Sequence, residues 1–454
     1  MPSIRNIGLC LALYVAATPL AVMANGERAN LIEVYQLAVQ NDAQLSAARH
    51  DYLARKEAVP QALAGLLPNL SAGVTADTTF LEREDPALER TRSGTVFRAN
   101  LSQPLFNLER WFQLRAAQST TAQAEIELRA QEQTLILRSA KAYFETLRSL
   151  DDLAASRAEE AGLLEVKQQA EARMRDGAAS IIDVLDAKAA FDKASASRIE
   201  AEQEVKKAFE ALFRLTKRRY TTIAAMHSSL PVHPPQPTDI AAWTTQATEQ
   251  NLMLIASDFA VEAAQETRRQ SRSGHAPTVQ AVVSYREGDN DSFGYSNPTD
   301  FRTSAYQGSV RQSSVGIEFS IPLFAGGQTS SRIRESTERL LKSEDERDDR
   351  RREVVETTRN TFRSVLASIE QISAQQQSVA SSEKAVEANR VGLRVGIRNT
   401  SDVLNAQRQL YDAIRDYNKA RYDYVIGTLA LKQVVGTLDP TDLSYLNRYM
   451  LPAG

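Results

Sequence analysis

The chain has 454 residues, 24% of them charged and 7% aromatic, with a formal net charge of −3 at pH 7. Charges that nearly cancel, with no basic face carrying interleaved aromatics, exclude nucleic-acid recognition. His50, His227, His233 and His275 are scattered without metal-ligand spacing, and neither a phosphate-cradling glycine loop nor a nucleophile elbow occurs, so the sequence points to no enzyme, metal site or cofactor.

Residues 1–24 read as a signal peptide: Arg5 supplies the positive start, Ile7 to Val22 are mostly apolar, and Val22-Met23-Ala24 predicts cleavage after Ala24. Cys10, the sole cysteine, falls inside this segment, and Leu9 before it argues against a lipoprotein. The expected mature chain has no disulfide and no thiol chemistry. Export without disulfides points to the periplasm or outer membrane of a Gram-negative cell. Beyond the signal no run approaches the roughly 18 apolar residues of a spanning helix.

A helix is predicted from Leu31 to Leu66, leading through Pro68 into a strand in which Leu70, Ala72, Val74 and Ala76 alternate with polar residues. A polar loop, Leu81 to Ser93, precedes a second strand with Phe97, Ala99 and Leu101 on one face, which ends at Pro104-Leu105-Phe106. From Asn107 to about Glu171 there is no proline, and a helix of roughly 65 residues would reach roughly 95–100 Å. Gly177 then marks a reversal where positive φ is easily met. Ser180 and Asp183 suit the start of the next helix. In that helix Val184, Phe191, Arg198, Val205 and Leu212 recur every seven residues beside a seam of Ala187, Ala194, Ala201, Ala208 and Leu215. Only Arg198 breaks the apolar register of this coiled-coil pattern.

After a connector from Thr216 to Asn251, with Pro231, Pro234, Pro235 and Pro237, the same order returns. A helix from Ile240 to Arg272 and Pro277 lead into Val279, Ala281, Val283 and Tyr285 on one strand face. The loop Asp289 to Gln312 precedes Val315, Ile317, Phe319 and Ile321, and Pro322-Leu323-Phe324 again closes the strand. Gly326-Gly327 open a long helix, Gln328 to about Gly392, whose charge run Glu344 to Glu353 reads as a solvated face. The segment GIRNTSDVLNA, Gly396 to Ala406, repeats GAASIIDVLDA, Gly177 to Ala187, at a shift of 219 (396 − 177). Thr400-Ser401 with Asp402 are suited to capping. The final helix carries Val403, Leu410, Tyr417, Tyr424 and Leu431 beside Ala406, Ala413, Ala420, Gly427 and Val434.

The chain is thus mainly α with a small β part, a duplicated β-hairpin plus long coiled helices. Its expected divisions are a signal peptide (1–24), a first repeat (25–215), a connector (216–251), a second repeat (252–436) and a C-terminal tail (437–454). Each hairpin offers one apolar and one polar face, as a barrel wall requires. Four strands cannot close alone, and an open edge in hydrocarbon leaves backbone groups unpaired, so such a wall demands several copies.

The Leu-Pro-Asn-Leu helix-to-strand step at 67–70, both Pro-Leu-Phe exits, both tip motifs, and Ala420-Arg421-Tyr422-Asp423-Tyr424 with Gly436-Thr437-Leu438 together resemble the TolC family of outer-membrane channel-tunnels over essentially the whole mature chain. The resemblance implies a homotrimer whose twelve-stranded barrel, set in outer-membrane lipid, continues into an α-helical tunnel in the periplasm. It implies a passive duct for type I secretion or multidrug efflux, serving a periplasmic adaptor and an inner-membrane ABC or proton-driven transporter. The matched Asp402 would form an acidic ring at the pore constriction, where the family often has a second acid one turn on; this chain has Asn405 there and Asp186 in its first copy. Arg398 would latch the closed tip with Asp183 and Asp186, although a tyrosine often seen before the tip glycine is Leu393 here. Adaptor contacts would fall around Gly177, Ser180, Gly396 and Thr400. Two other readings stay open: a periplasmic coiled-coil adaptor, and a structural surface fibre.

Overall fold

The computed structural model describes residues 29–85, 87–227, 231–289 and 309–451. The predicted signal peptide, Cys10 and the middle of the loop Asp289–Gln312 lie outside the described residues.

The first half comprises α1 (Leu31–Asn41), α2 (Ala43–Lys56), α3 (Ala58–Ala64), β1 (Asn69–Arg83), β2 (Leu88–Phe106), α4 (Leu108–Arg175) and α5 (Ile181–Thr216). The second comprises α6 (Ile240–Gln250), α7 (Leu252–Arg272), β3 (Thr278–Asp289), β4 (Ser309–Ser320), α8 (Gln328–Val395), α9 (Thr400–Val435) and a short α10 (Pro440–Asn447). The duplication is metric as well as sequential: α4 and α8 each have 68 residues, α5 and α9 each have 36. At about 1.5 Å per residue the longer pair spans roughly 100 Å.

The two helices predicted to lead into the strands are broken. Asp42 adopts extended backbone between α1 and α2, accepts from the Leu45 amide at 2.7 Å and pairs with Arg138 of α4 at 2.7 Å. Asn251 does the same between α6 and α7, accepting from the Leu254 amide at 2.9 Å and donating to the Val434 carbonyl at 2.6 Å. Partners on distant helices hold both breaks, which is why local periodicity does not reveal them.

The helices lie side by side in one layer. Towards the tips the neighbours run α5, α4, α9, α8; towards the sheet they run α3, α4, α7, α8. Every position of the α5 and α9 heptad seams is buried or half-buried. Arg198, the exception in the pattern, is held by Glu160 at 2.7 Å and Glu202 at 2.8 Å. The charge run on α8 is exposed or half-exposed throughout and pairs locally, as in Arg350 with Glu353 at 2.6 Å.

Midway, the layer carries its largest core. Tyr143 and Phe144 are fully buried there, and Tyr143 donates to the Ala224 carbonyl at 2.6 Å. The connector is irregular over 217–239, yet it enters this core through Ile223, Ala224 and Met226, bridging Ala29 and Met450. The predicted tail is not a loose end, because α10 packs Leu443 fully inside.

The strands form one antiparallel sheet in the order β1-β2-β3-β4, the two halves joining at β2 and β3. Residues 84–87 alone connect β1 to β2, so the predicted loop Leu81–Ser93 is mostly strand. A polar composition suits a strand with a solvated face as readily as a loop, so composition alone does not separate the two. Pro104 and Phe106 flank an irregularity in the β2 register, as expected where a ladder donor is missing. Gly326 and Gly327 take φ of 60° and 83° and turn the chain into α8.

Candidate functional site

Two regions carry the predicted function, the strand wall and the helix tips. In the wall, the register places Val279, Ala281 and Val283 opposite Phe319, Ile317 and Val315, and Val283 and Tyr285 opposite Leu101 and Ala99. Leu101, Ala99 and Phe97 in turn face Leu70, Ala72 and Val74. These apolar residues of all four strands therefore share one continuous face. The other face joins Ser284 to Ser314 at 2.7 Å and Gln280 to Glu318 at 2.7 Å. Leu70, Val74, Val315, Ile317 and Phe319 are 64–81% exposed. Leaving each in water forgoes about 1.5–3 kcal/mol of burial, so this face needs an apolar medium. Ile321, predicted as part of the strand, lies one residue beyond the end of β4, although its side chain is exposed like those of Val315, Ile317 and Phe319. No described helix is long and apolar enough to cross a membrane.

At the first tip Gly177 has φ of 71°, and Ala178 donates back to the Arg173 carbonyl at 2.7 Å. Ser180 then caps α5 reciprocally. Its backbone and hydroxyl donate to Asp183 at 3.0 and 2.8 Å, and the Asp183 amide donates to the Ser180 hydroxyl at 3.2 Å. These bonds, the Ser180 backbone donor foremost, hold the Asp183 carboxyl below the usual range, with Thr400 and Arg173 adding to the effect.

At the second tip Gly396 has φ of 81°, and the Gly392 carbonyl accepts from Ile397 at 3.0 Å and Arg398 at 3.2 Å. The cap of α9 is Asn399, not the predicted Thr400-Ser401 pair: Asn399 accepts from the Asp402 amide at 2.8 Å and donates its own amide to Asp402 at 3.2 Å. An amide three residues before an acid carries the same capping-box spacing as Ser180 with Asp183, and that signal is visible in the sequence. Asp402 thus serves as a cap, while also lying 3.8 Å from Arg398. Asn405 is exposed one turn further on.

The tips are tied to each other. Ser401 donates to Asp186 at 3.3 Å, and Arg173 donates to the carbonyls of Leu393 at 3.1 Å and Ala178 at 3.4 Å. Within one chain Arg398 is brought to Asp402, and among the described residues no ion pair joins it to Asp183 or Asp186. Sequence reading missed Arg173, for which no local pattern exists, and Gly392. A Cβ on Gly392 would sit 2.6 Å from Arg398 Cγ, so this glycine lets the Arg398 stem fold back over the last turn of α8.

Above the tips, α9 is fastened to α4. Tyr411 donates to the Ala158 carbonyl at 3.0 Å, Arg415 pairs with Glu159, and Tyr422 donates to Asp151 at 2.6 Å. Burial raises the Asp151 carboxyl against the opposing pull of Tyr422 and Arg421. A groove of about 660 Å³ opens between α5 and α9 over α4, lined by both signs of charge, including Arg148, Asp152, Lys193, Glu204, Arg408 and Asp412. All four histidines are exposed, and among the described residues no group of His, Cys, Asp and Glu is placed to hold a metal.

The model of the outer membrane efflux protein family matches residues 34–216 and 243–437. The outer membrane protein TolC of Vibrio cholerae is 33% identical over 441 residues, covering 96% of this chain and 97% of that protein. The alkaline protease secretion protein AprF of Pseudomonas aeruginosa is 29% identical over 424 residues, 91% of this chain and 85% of its own. The fold matches the crystal structure of the outer membrane protein VceC from Vibrio cholerae with a TM-score of 0.76 at 17% identity, over 89% of this chain and 96% of that one. With two matched repeats, a strand wall apolar on one side and paired helical tips, the chain belongs to the outer membrane efflux protein family, the TolC-type channel-tunnels of the outer membrane, and is not an enzyme.

Proposed function

We propose that three copies of this chain assemble into a twelve-stranded barrel and one continuous helical tunnel, a passive duct from the periplasm to the exterior. The carrying observation is that, among the described residues, β1 and β4 each have one edge without a strand partner, on a sheet whose apolar face demands lipid. A sheet cannot end in hydrocarbon without stranding its donors and acceptors, at several kcal/mol each. Joining β4 of one copy to β1 of the next satisfies both edges. The same side-to-side order would bring α8 against the next copy's α3 and α5, so the helical layer closes with the sheet.

In this assembly the Asp402 carboxylates of three copies approach one another at the constriction, with Asn405 one turn on. Three acids gathered around one axis favour cations at the periplasmic mouth. The Asp402 cap and its proximity to Arg398 support a gate whose closed form depends on the tip turns. Arg398, with Asp183 and Asp186 of an adjoining copy, would complete the latch. Gly177, Ser180, Gly396 and Thr400 mark the tips where a periplasmic adaptor engages, and the mixed-charge groove between α5 and α9 suits a charged helical hairpin. An inner-membrane ABC or proton-driven transporter supplies the driving force. The signal peptide 1–24, repeats 25–215 and 252–436, connector 216–251 and tail 437–454 are the units of this reading.

The name of the Pseudomonas relative supports a protein cargo exported by a type I route, and the family description supports efflux. The test is to recover the full chain from outer membranes, ask for a trimer that dissociates on heating in detergent, and record its conductance in planar bilayers. A monomer, or a trimer that does not conduct, refutes the duct. Deleting the gene and scoring both drug susceptibility and secreted proteins then distinguishes the two cargoes.

A further inference from the structure

Where α9 crosses α4 above the tips, Gln407 is only 1% exposed, and among the described residues neither end of its side-chain amide has a hydrogen-bond partner. An amide buried in this way forgoes the bonds that water would give it, and native interiors leave few such groups. Its neighbours on the tip side offer nothing polar in return. Val403 and Leu404 precede it on α9, and Leu163 and Val166 of α4 belong to the same buried apolar cluster. Against the amide stands Gly162, the sole glycine in the 68 residues of α4. A Cβ there would lie 3.2 Å from Gln407 Nε2 and 3.6 Å from the Tyr411 hydroxyl, so the glycine makes the room that the amide fills. Glycine inside a helix is itself unfavourable relative to alanine. Two local costs therefore meet at one contact, and the other half of the chain repeats neither. At the shift of 219 the counterparts are Lys188 (407 − 219) and Ser381 (162 + 219), both exposed.

We propose, resting on the gated-duct reading above, that Gln407 and Gly162 form a release point in the α4–α9 seam, where the buried amide works against the closed packing and is satisfied when the helices part. The surroundings suit that role. Glu159 and Leu163 of α4 and Leu404 and Arg408 of α9 flank the contact and line the mixed-charge groove, so a small separation delivers the amide to water and to charged partners. Ties lie on both sides of it: Tyr411 to the Ala158 carbonyl at 3.0 Å and Arg415 to Glu159 above, Arg173 to the Leu393 carbonyl at 3.1 Å below. A group satisfied in one state and not in the other biases the equilibrium by that difference. The ties then hold shut a seam that already leans towards opening.

Single-channel recording of full-length trimers in planar bilayers tests this, with the melting temperature of each trimer measured alongside. Gln407→Leu keeps a similar volume without the polar atoms and should lower the frequency of high-conductance openings by about five-fold or more. Gln407→Met, a second apolar variant, should act in the same direction. Gly162→Ala presses on the amide only in the packed seam, whereas its gain in helix propensity is common to both states, so openings should become more frequent. In a Gln407→Ala background, which removes the opposing atoms, Gly162→Ala should change nothing. Leucine and methionine variants that melt higher than wild type yet open as often would overturn the release point, because the amide is then only an unpartnered core group. More frequent openings in both apolar variants would overturn it too. A wild-type chain that yields no conducting trimer would instead sink the duct reading, so the two failures are distinguishable.

Discussion

Replacing Gly392 with alanine tests how the second tip is kept closed. The new Cβ would lie 2.6 Å from Arg398 Cγ and 3.1 Å from Arg398 Cβ, neither of which is the free end of a flexible chain. Ordinary carbon contacts fall at about 3.5–4.0 Å, so the Arg398 stem must retreat by about 1 Å. Retreat pulls on the Ile397 and Arg398 amides that donate to the Gly392 carbonyl at 3.0 and 3.2 Å. Overpacking of this kind costs about 1–3 kcal/mol, and alanine returns up to about 1 kcal/mol through helix propensity. A net loss of about 1–2 kcal/mol shifts the closed tip towards open by roughly 5- to 30-fold. Single-channel recording would register this as higher mean conductance, while the melting temperature of the trimer moves little. The decisive control is Arg398→Gly, which removes the atoms in the way. In that background Gly392→Ala should add nothing, and equal effects of Gly392→Ala in both backgrounds would refute the clash.

Asp402→Ala should lower cation preference and weaken block by multivalent cations, while loss of the Asn399 reciprocal cap costs about 0.5–2 kcal/mol of local helix stability, read by ion selectivity and by hydrogen exchange at the start of α9. Arg398→Ser should raise conductance by freeing the tip, and unchanged conductance would count against its role as latch. The Asp183 carboxyl is depressed, so its stabilisation of the first tip is complete above the ordinary carboxylate range and is lost as pH falls through the depressed value. Hydrogen exchange at the start of α5 should accelerate in acid, and Asp183→Asn should remove that dependence. Asp151 is raised by burial, so its contribution has the opposite sign: it is present below the ordinary carboxylate range and fades as pH rises through the raised value. Protection of the α4–α9 contact should therefore increase as the first tip loosens, and Asp151→Asn should abolish the increase. Ile317→Arg, on the apolar face, should cost about 2–4 kcal/mol per copy at the bilayer midplane and reduce the heat-modifiable trimer in outer membranes.

Periodicity alone determined the long elements of this chain. Seven-residue spacing and the absence of proline set α4, α5, α8 and α9 to within a few residues, because helices of this length are fixed by local hydrogen bonding and one repeating seam. The alternation of Val279 to Tyr285 and of Val315 to Phe319 likewise fixed the faces of the strands, since side-chain direction in a strand follows from parity. The reversals at Gly177 and Gly396 were legible because positive φ selects glycine. Tertiary structure alone decided what depends on residues far apart in sequence. The breaks at Asp42 and Asn251 are set by Arg138 and the Val434 carbonyl, the burial of connector and tail by a shared core, and the tip ties by Arg173 reaching Leu393. So, too, the side-by-side placement of Arg98 and Arg286 requires the register between two strands almost 190 positions apart (286 − 98 = 188). No local rule encodes such a register; it follows from fitting two apolar faces into one continuous wall.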